Sequence, residues 1–185
     1  MTTTAIDPKE VEAHWRHIDG IIATTALITS LAMYAQPHEN RGAIAQALTT
    51  ADVFKSRRFL TEPALRALAD GIPILGQTVA FSEMAGVGFV YEQARLFCTS
   101  HGILESRLFK LPWSDLAWVL RTTFFHNGRV QWRKGAPDTI HWRSLKWDRS
   151  KVEGNLIERG SMISQEEIFQ LMIDIMESAR VEYLR

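Results

Sequence analysis

The chain is short of several things that would each announce a class. Its 185 residues include one cysteine, Cys98, which excludes an internal disulfide and a cysteine-based zinc site and fits a reducing compartment. Net charge is zero, with 21 Lys+Arg against 21 Asp+Glu, so any electrostatic recognition has to be local. A Gly-rich phosphate loop, a His-Glu-x-x-His pair and a nucleophile elbow are all missing, which removes the best-marked nucleotide, metalloprotease and hydrolase sites. Met1–Ile6 has no basic stretch before an apolar core and does not read as a signal peptide. The longest uncharged apolar run, Gly20 to Gln36, is about 17 residues and carries Thr24, Thr25, Thr29 and Ser30. It reads as a buried helix of a cytoplasmic protein without a membrane role.

What is present is enough for a core. With 46% hydrophobic residues, disorder is excluded as the dominant state. The length suits one domain, 1–185, burying roughly 70% of its unfolded surface. Charge is uneven along the chain. Arg129 to Lys151 holds seven basic residues and two acids, whereas Val152 to Arg185 holds three basic residues and seven acids. The basic stretch reads either as a phosphate-facing surface or as a solvated hairpin beside an acidic helix.

Asp7-Pro8-Lys9-Glu10 has the residues of a helix start, and that helix can run to about Ala35 before Pro37 stops it. Ser164-Gln165-Glu166-Glu167 is a second start, with Ile163 and Ile168 placed to staple it. Ile168, Leu171, Met172, Ile175 and Ala179 then follow a 3.6-residue period, so a closing helix spans about 164–184. Between these ends, 42–59, 63–70 and 75–101 read as helices, and Gly86 marks either a break in the last of them or a close helix contact. Pro112 opens another helix over 113–127. After Gly128 the period changes to two: Val130, Trp132, Ile140 and Trp142 share one face of a hairpin over about 129–147, turning at Lys134–Asp138. Gln131, Arg133, His141 and Arg143 share the other. The expected fold is therefore all-α, a bundle of about five or six helices with a small antiparallel β-hairpin inserted before the last helix.

Metal chemistry has little to build on, because His14 and His17 with Glu10 lack a fourth ligand; no metal and no cofactor are expected. Arg121-Thr122-Thr123-Phe124-Phe125-His126-Asn127-Gly128 offers more. At 100° per residue Arg121 and His126 lie about 140° apart, on the two flanks of an apolar stripe formed by Leu116, Val119, Leu120, Thr123 and Phe124. Histidine is the residue type that titrates near neutrality and arginine the cation with a planar fork, the minimum set for cleaving RNA by its own 2′-hydroxyl. Asn127-Gly128 reads as a left-handed helix cap, as a means of orienting His126, or as both. Trp132, Trp142 and Trp147 read as base-stacking platforms or as hairpin core.

An Arg-x4-His motif at the end of a late helix, followed by Asn-Gly and a strand, resembles the HEPN (higher eukaryotes and prokaryotes nucleotide-binding) domains. Those are small helical bundles, many of them metal-independent ribonucleases in which two subunits bring their motifs into one cleft. A second match to the motif, Arg95 to His101, lacks the Asn-Gly and hairpin that follow. The resemblance implies an endoribonuclease of toxin or defence type with Arg121 and His126 as catalytic residues. It further implies a homodimer. From the charge and hydrogen-bonding capacity of the segment, Asn127, Arg129, Arg133 and Arg143 are expected to contact RNA, and a cognate antitoxin or regulatory protein is expected as a partner. Family members often carry Asn, Asp or His directly after the arginine, where this chain has Thr122. The rival reading is a non-catalytic module of the same kind that binds nucleotide, RNA or a partner protein.

Overall fold

The computed structural model describes residues 6–35, 37–50, 65, 66, 69, 72–103, 107–126, 128–157 and 161–183. Among them are six α-helices and one two-stranded sheet: α1 Pro8–Tyr34, α2 His38–Thr50, α3 Ile72–Ser100, α4 Trp113–Phe125, β1 Thr139–Trp142, β2 Leu145–Asp148, the one-turn α5 Arg149–Val152, and α6 Gln165–Tyr183, with a 3-10 turn Leu108–Lys110 before α4. The bundle with a small antiparallel hairpin before the last helix is thus the observed fold class. The expected helix over 63–70 and the end of the one over 42–59 lie largely outside the described residues.

Contacts group the chain into two compact units, residues 1–25 with 83–185 and residues 26–82. In the second unit the exposed carbonyls at the end of α1 are taken up locally: Asn40 Nδ2 donates to Tyr34 O at 2.8 Å and Arg41 Nε to Ala35 O at 3.1 Å. Burial of the Gly20–Gln36 run is not what the structure shows. Among its described residues only Thr25, Thr29, Ala32 and Ala35 are buried, while Leu27 and Leu31 are 60% and 55% exposed. The buried stripe follows the helical spacing of its small residues and leaves the large ones outside. By length and composition α1 is apolar enough to cross a membrane, the one described helix of that kind.

The first unit holds the main core. Val87, Val90 and Ala94 of α3, Leu116, Val119 and Leu120 of α4, and Leu171, Met172 and Ile175 of α6 are fully buried and form one cluster with the hairpin tryptophans. Asp7 caps α1 as expected, whereas Glu10, expected to reach back to the cap amide, faces His101 at 3.2 Å instead; the second start is built in full. Lys9 N–H donates to Asp7 Oδ1 at 2.9 Å, and in α6 Ser164 N–H donates to Glu167 Oε2 while Glu167 N–H donates to Ser164 Oγ, a reciprocal capping box. Ile163 and Ile168, the staple pair, are both buried. α3 runs unbroken, and Gly86 serves close approach: a Cβ there would lie 2.6 Å from Thr25 Oγ1 and 3.1 Å from Met172 Sδ.

The hairpin sits later in the chain than the pattern suggested. Ile140 pairs with Trp147 and Trp142 with Leu145, around a two-residue turn at Arg143-Ser144. Residues 128–130 instead pair with the loop at 154–157, Val130 N–H donating to Asn155 O and Ile157 N–H to Gly128 O, each at 2.9 Å. Val130 and Trp132 are buried, so the alternation identified the inward face, yet period two carries no information about which strand lies alongside. The expected turn over 134–138 is closed locally by Ala136 N–H on Arg133 O and Trp132 Nε1 on Pro137 O.

Candidate functional site

α4 carries the Arg-His motif into a defined helix end. Leu116, Val119, Leu120 and Thr123 are fully buried on the expected stripe, which puts Arg121 on its flank with a quarter of its side chain exposed. His126 is the C-cap. Its N–H donates to Thr123 O at 3.1 Å, and Gly128, with φ +77°, closes on the same carbonyl at 3.0 Å, the six-to-one bond of a Schellman-type end. The imidazole is exposed, and among the described residues it has no hydrogen-bond partner. Asn127 lies outside the described residues.

Arg121 is met by a residue that sequence reasoning missed. Glu92 of α3 places Oε1 2.5 Å from Arg121 Nε and takes Arg95 Nε and a terminal nitrogen of the same guanidinium, both at 2.9 Å, on Oε2. One carboxylate thus joins the arginines of both motif matches. A Cβ at Gly88 would lie 3.6 Å from Arg121 Cγ, in ordinary contact, so this approach does not depend on glycine at that position. The available signal was the Glu92–Arg95 spacing of three on one helix face, which marks a local pair and says nothing of α4. Thr122 is turned back into its own helix, its hydroxyl donating to Trp118 O at 2.7 Å.

The second match is built differently at its histidine. His101 stacks on Phe97 with centroids 4.1 Å apart, and its Nε2 faces Glu10 Oε2 at 3.2 Å. Phe97 also carries His14 at 4.4 Å and Tyr183 at 4.2 Å. Burial pushes His14 down to about 4, helped by the charges of His17 and His101 and opposed by a hydrogen bond with the Gln93 backbone. Burial pushes the Tyr183 hydroxyl up, and that hydroxyl donates to Ala94 O.

The basic segment is mostly compensated within the chain. Arg143 grips Asp174 through two hydrogen bonds of 3.0 and 2.7 Å, and Arg149 pairs with Glu153 at 2.8 Å. Arg133 lies 3.7 Å from Asp115, and Lys151 lies 3.2 Å from Asp148. Arg129 differs, donating to the Gly154 carbonyl at 3.0 Å. Trp132, Trp142 and Trp147 are buried, each indole N–H bound to a chain oxygen, so they are core, the last two within the hairpin and Trp132 ahead of it. Among the described residues no group of three or more His, Cys, Asp or Glu is placed to hold a metal.

No family model, curated protein or solved structure matches the chain.

Proposed function

We propose that this protein is a metal-independent endoribonuclease of the HEPN kind, with a toxin or defence role. The observation that carries the reading is the asymmetry of the motif. Arg121 is fixed by Glu92 on the flank of α4, while His126, five residues on, presents an exposed imidazole at the helix end. His126 takes the proton of a ribose 2′-hydroxyl, whose oxygen attacks the adjacent phosphorus. The P–O5′ bond breaks, leaving a 2′,3′-cyclic phosphate and a 5′-hydroxyl, and Arg121 stabilises the charge gathering on the phosphate oxygens. The 5′-oxygen needs a proton from a second donor. In the proposed two-fold homodimer the other copy supplies it through its own motif.

Incubating purified protein with RNA in EDTA tests this. Cleavage that persists and leaves 2′,3′-cyclic ends supports it; activity appearing only with added Mg²⁺ or Mn²⁺ sinks the mechanism. Light scattering that finds a fully active monomer at micromolar concentration argues decisively against a shared site.

A second reading, a non-catalytic module that binds nucleotide, RNA or a protein, draws support from Arg121 being charge-paired to Glu92 and from the acids set against Arg133 and Arg143. Under it, wild-type protein binds RNA with salt-sensitive affinity and cleaves none.

A further inference from the structure

Arg129 follows His126 by three residues, and its N–H donates to the His126 carbonyl at 3.0 Å. Arg95, Arg121, Arg133, Arg143 and Arg149 all sit against carboxylates, whereas among the described residues Arg129 has only the Gly154 carbonyl, which orients its guanidinium without neutralising it. Its backbone bridges that of Leu156 in antiparallel fashion, and residues opposed in this way project from the same face. Leu156 is 54% exposed, a large apolar side chain left open beside a guanidinium that meets no carboxylate among the described residues. Both line a cleft of about 480 Å³ with Lys151, Val152, Asn155 and Met162.

That volume falls in the range of small-molecule sites, and the lining divides into two chemistries. Arg129 offers positive charge, and Lys151, whose ammonium is paired with Asp148, lines the cleft beside it. Leu156, Val152 and Met162 offer an apolar shelf at another part. A free anion would have no use for the shelf, and an apolar ligand no use for the guanidinium. A ribonucleotide uses both, its phosphate on the guanidinium and its flat base on the leucine and methionine.

We propose that this cleft is the subsite holding the nucleotide next to the bond whose cleavage His126 promotes, phosphate on Arg129 and base over Leu156. The placement relative to cleavage rests on the endoribonuclease reading, whereas the binding itself does not. The short path from His126 through Gly128 fits it: a Cβ at Gly128 would touch Leu156 Cδ2 at 3.8 Å, so the shelf lies directly against the end of α4.

The test titrates the full-length His126→Ala protein with uridine 3′-monophosphate and, separately, with inorganic phosphate, by calorimetry. The proposal expects the nucleotide to bind at least about tenfold more tightly than phosphate, and Arg129→Glu and Leu156→Asp each to weaken it by about tenfold or more. Both positions lie at the surface, and Arg16→Glu, the same charge change on α1, should leave affinity within twofold. Equal affinity for nucleotide and phosphate, or unchanged affinity in both cleft variants, overturns it. Kinetics on RNA separate the two readings. Cleavage by Arg129→Glu and Leu156→Asp with unaltered KM removes the subsite and leaves the nuclease. Nucleotide binding that depends on both residues, in a wild type that cuts no RNA, keeps the subsite and removes the nuclease.

Discussion

Glu92 holds Arg121 from the neighbouring helix, Oε1 against Nε at 2.5 Å, while its other oxygen holds Arg95. The guanidinium of α4 therefore has a fixed origin before any substrate arrives, and such fixing is what makes a cation effective on a developing phosphate charge.

The motif variants follow directly. His126→Ala and Arg121→Ala should each lower RNA cleavage by about 10²-fold or more, with His126→Ala moving the thermal midpoint little because the ring is exposed. Glu92→Gln keeps the shape and loses the charge, so it should cut kcat by several-fold with KM nearly constant. Arg95→Ala and His101→Ala should stay within several-fold of wild type. If all of these variants cleave like wild type, another site or a contaminant is responsible.

The two neighbouring glycines of α3 should respond in opposite directions. Gly86→Ala drives a methyl into Thr25 and Met172 and should cost about 2 kcal/mol or more, read as a lowered denaturant midpoint. Gly88→Ala meets Arg121 at ordinary contact distance and should gain up to about 1 kcal/mol from helix propensity. Equal effects at the two positions would refute the packing described here.

Asp174 anchors the hairpin tip. It accepts from Arg143 twice, from Trp142 Nε1 at 3.0 Å and from Gln170 Nε2 at 3.0 Å; burial alone would raise its carboxyl, and these bonds hold it below the ordinary range. Asp174→Ala leaves a buried indole N–H without its acceptor and should destabilise by about 2–3 kcal/mol in urea unfolding.

Acid sensitivity should come in part from His14. Its folded value is about 4 against an ordinary 6.5, so the unfolded chain binds more protons and stability falls as pH drops from about 6.5 towards 4. Because the ring is only half buried, the loss is discounted to about 1–2 kcal/mol. His14→Phe keeps the stack on Phe97 and should flatten that part of the stability profile; a wild-type slope retained in the variant would assign it to His17, His101, Glu10 or other groups.

Local chemistry was legible in the residues. Ser164 with Glu167, Ile163 with Ile168, Asp7 before Pro8, and the apolar stripe of α4 all specify structure within a few positions, and each is built as read. What depends on contacts between distant segments was not. Val130 and Trp132 told which way their side chains face, but the backbone partners of residues 128–130, at 154–157, lie in a loop without alternation. Leu27 and Leu31 looked like core because they are apolar, whereas helical spacing buries Thr25 and Thr29 instead. Glu92 could be matched to Arg95 from sequence, yet only the packing of α3 on α4 brings it to Arg121.

The placement of the tryptophans has a spectroscopic consequence. All six, at positions 15, 113, 118, 132, 142 and 147, belong to the unit formed by residues 1–25 and 83–185, and residues 26–82 contain none. Tryptophan fluorescence, excited selectively over tyrosine, therefore has no reporter in the second unit, whereas far-ultraviolet circular dichroism sees the helices of both. Superimposable melting curves from the two signals would mean one cooperative transition; separated curves would mean that residues 26–82 unfold on their own, and would give the order in which the two units let go.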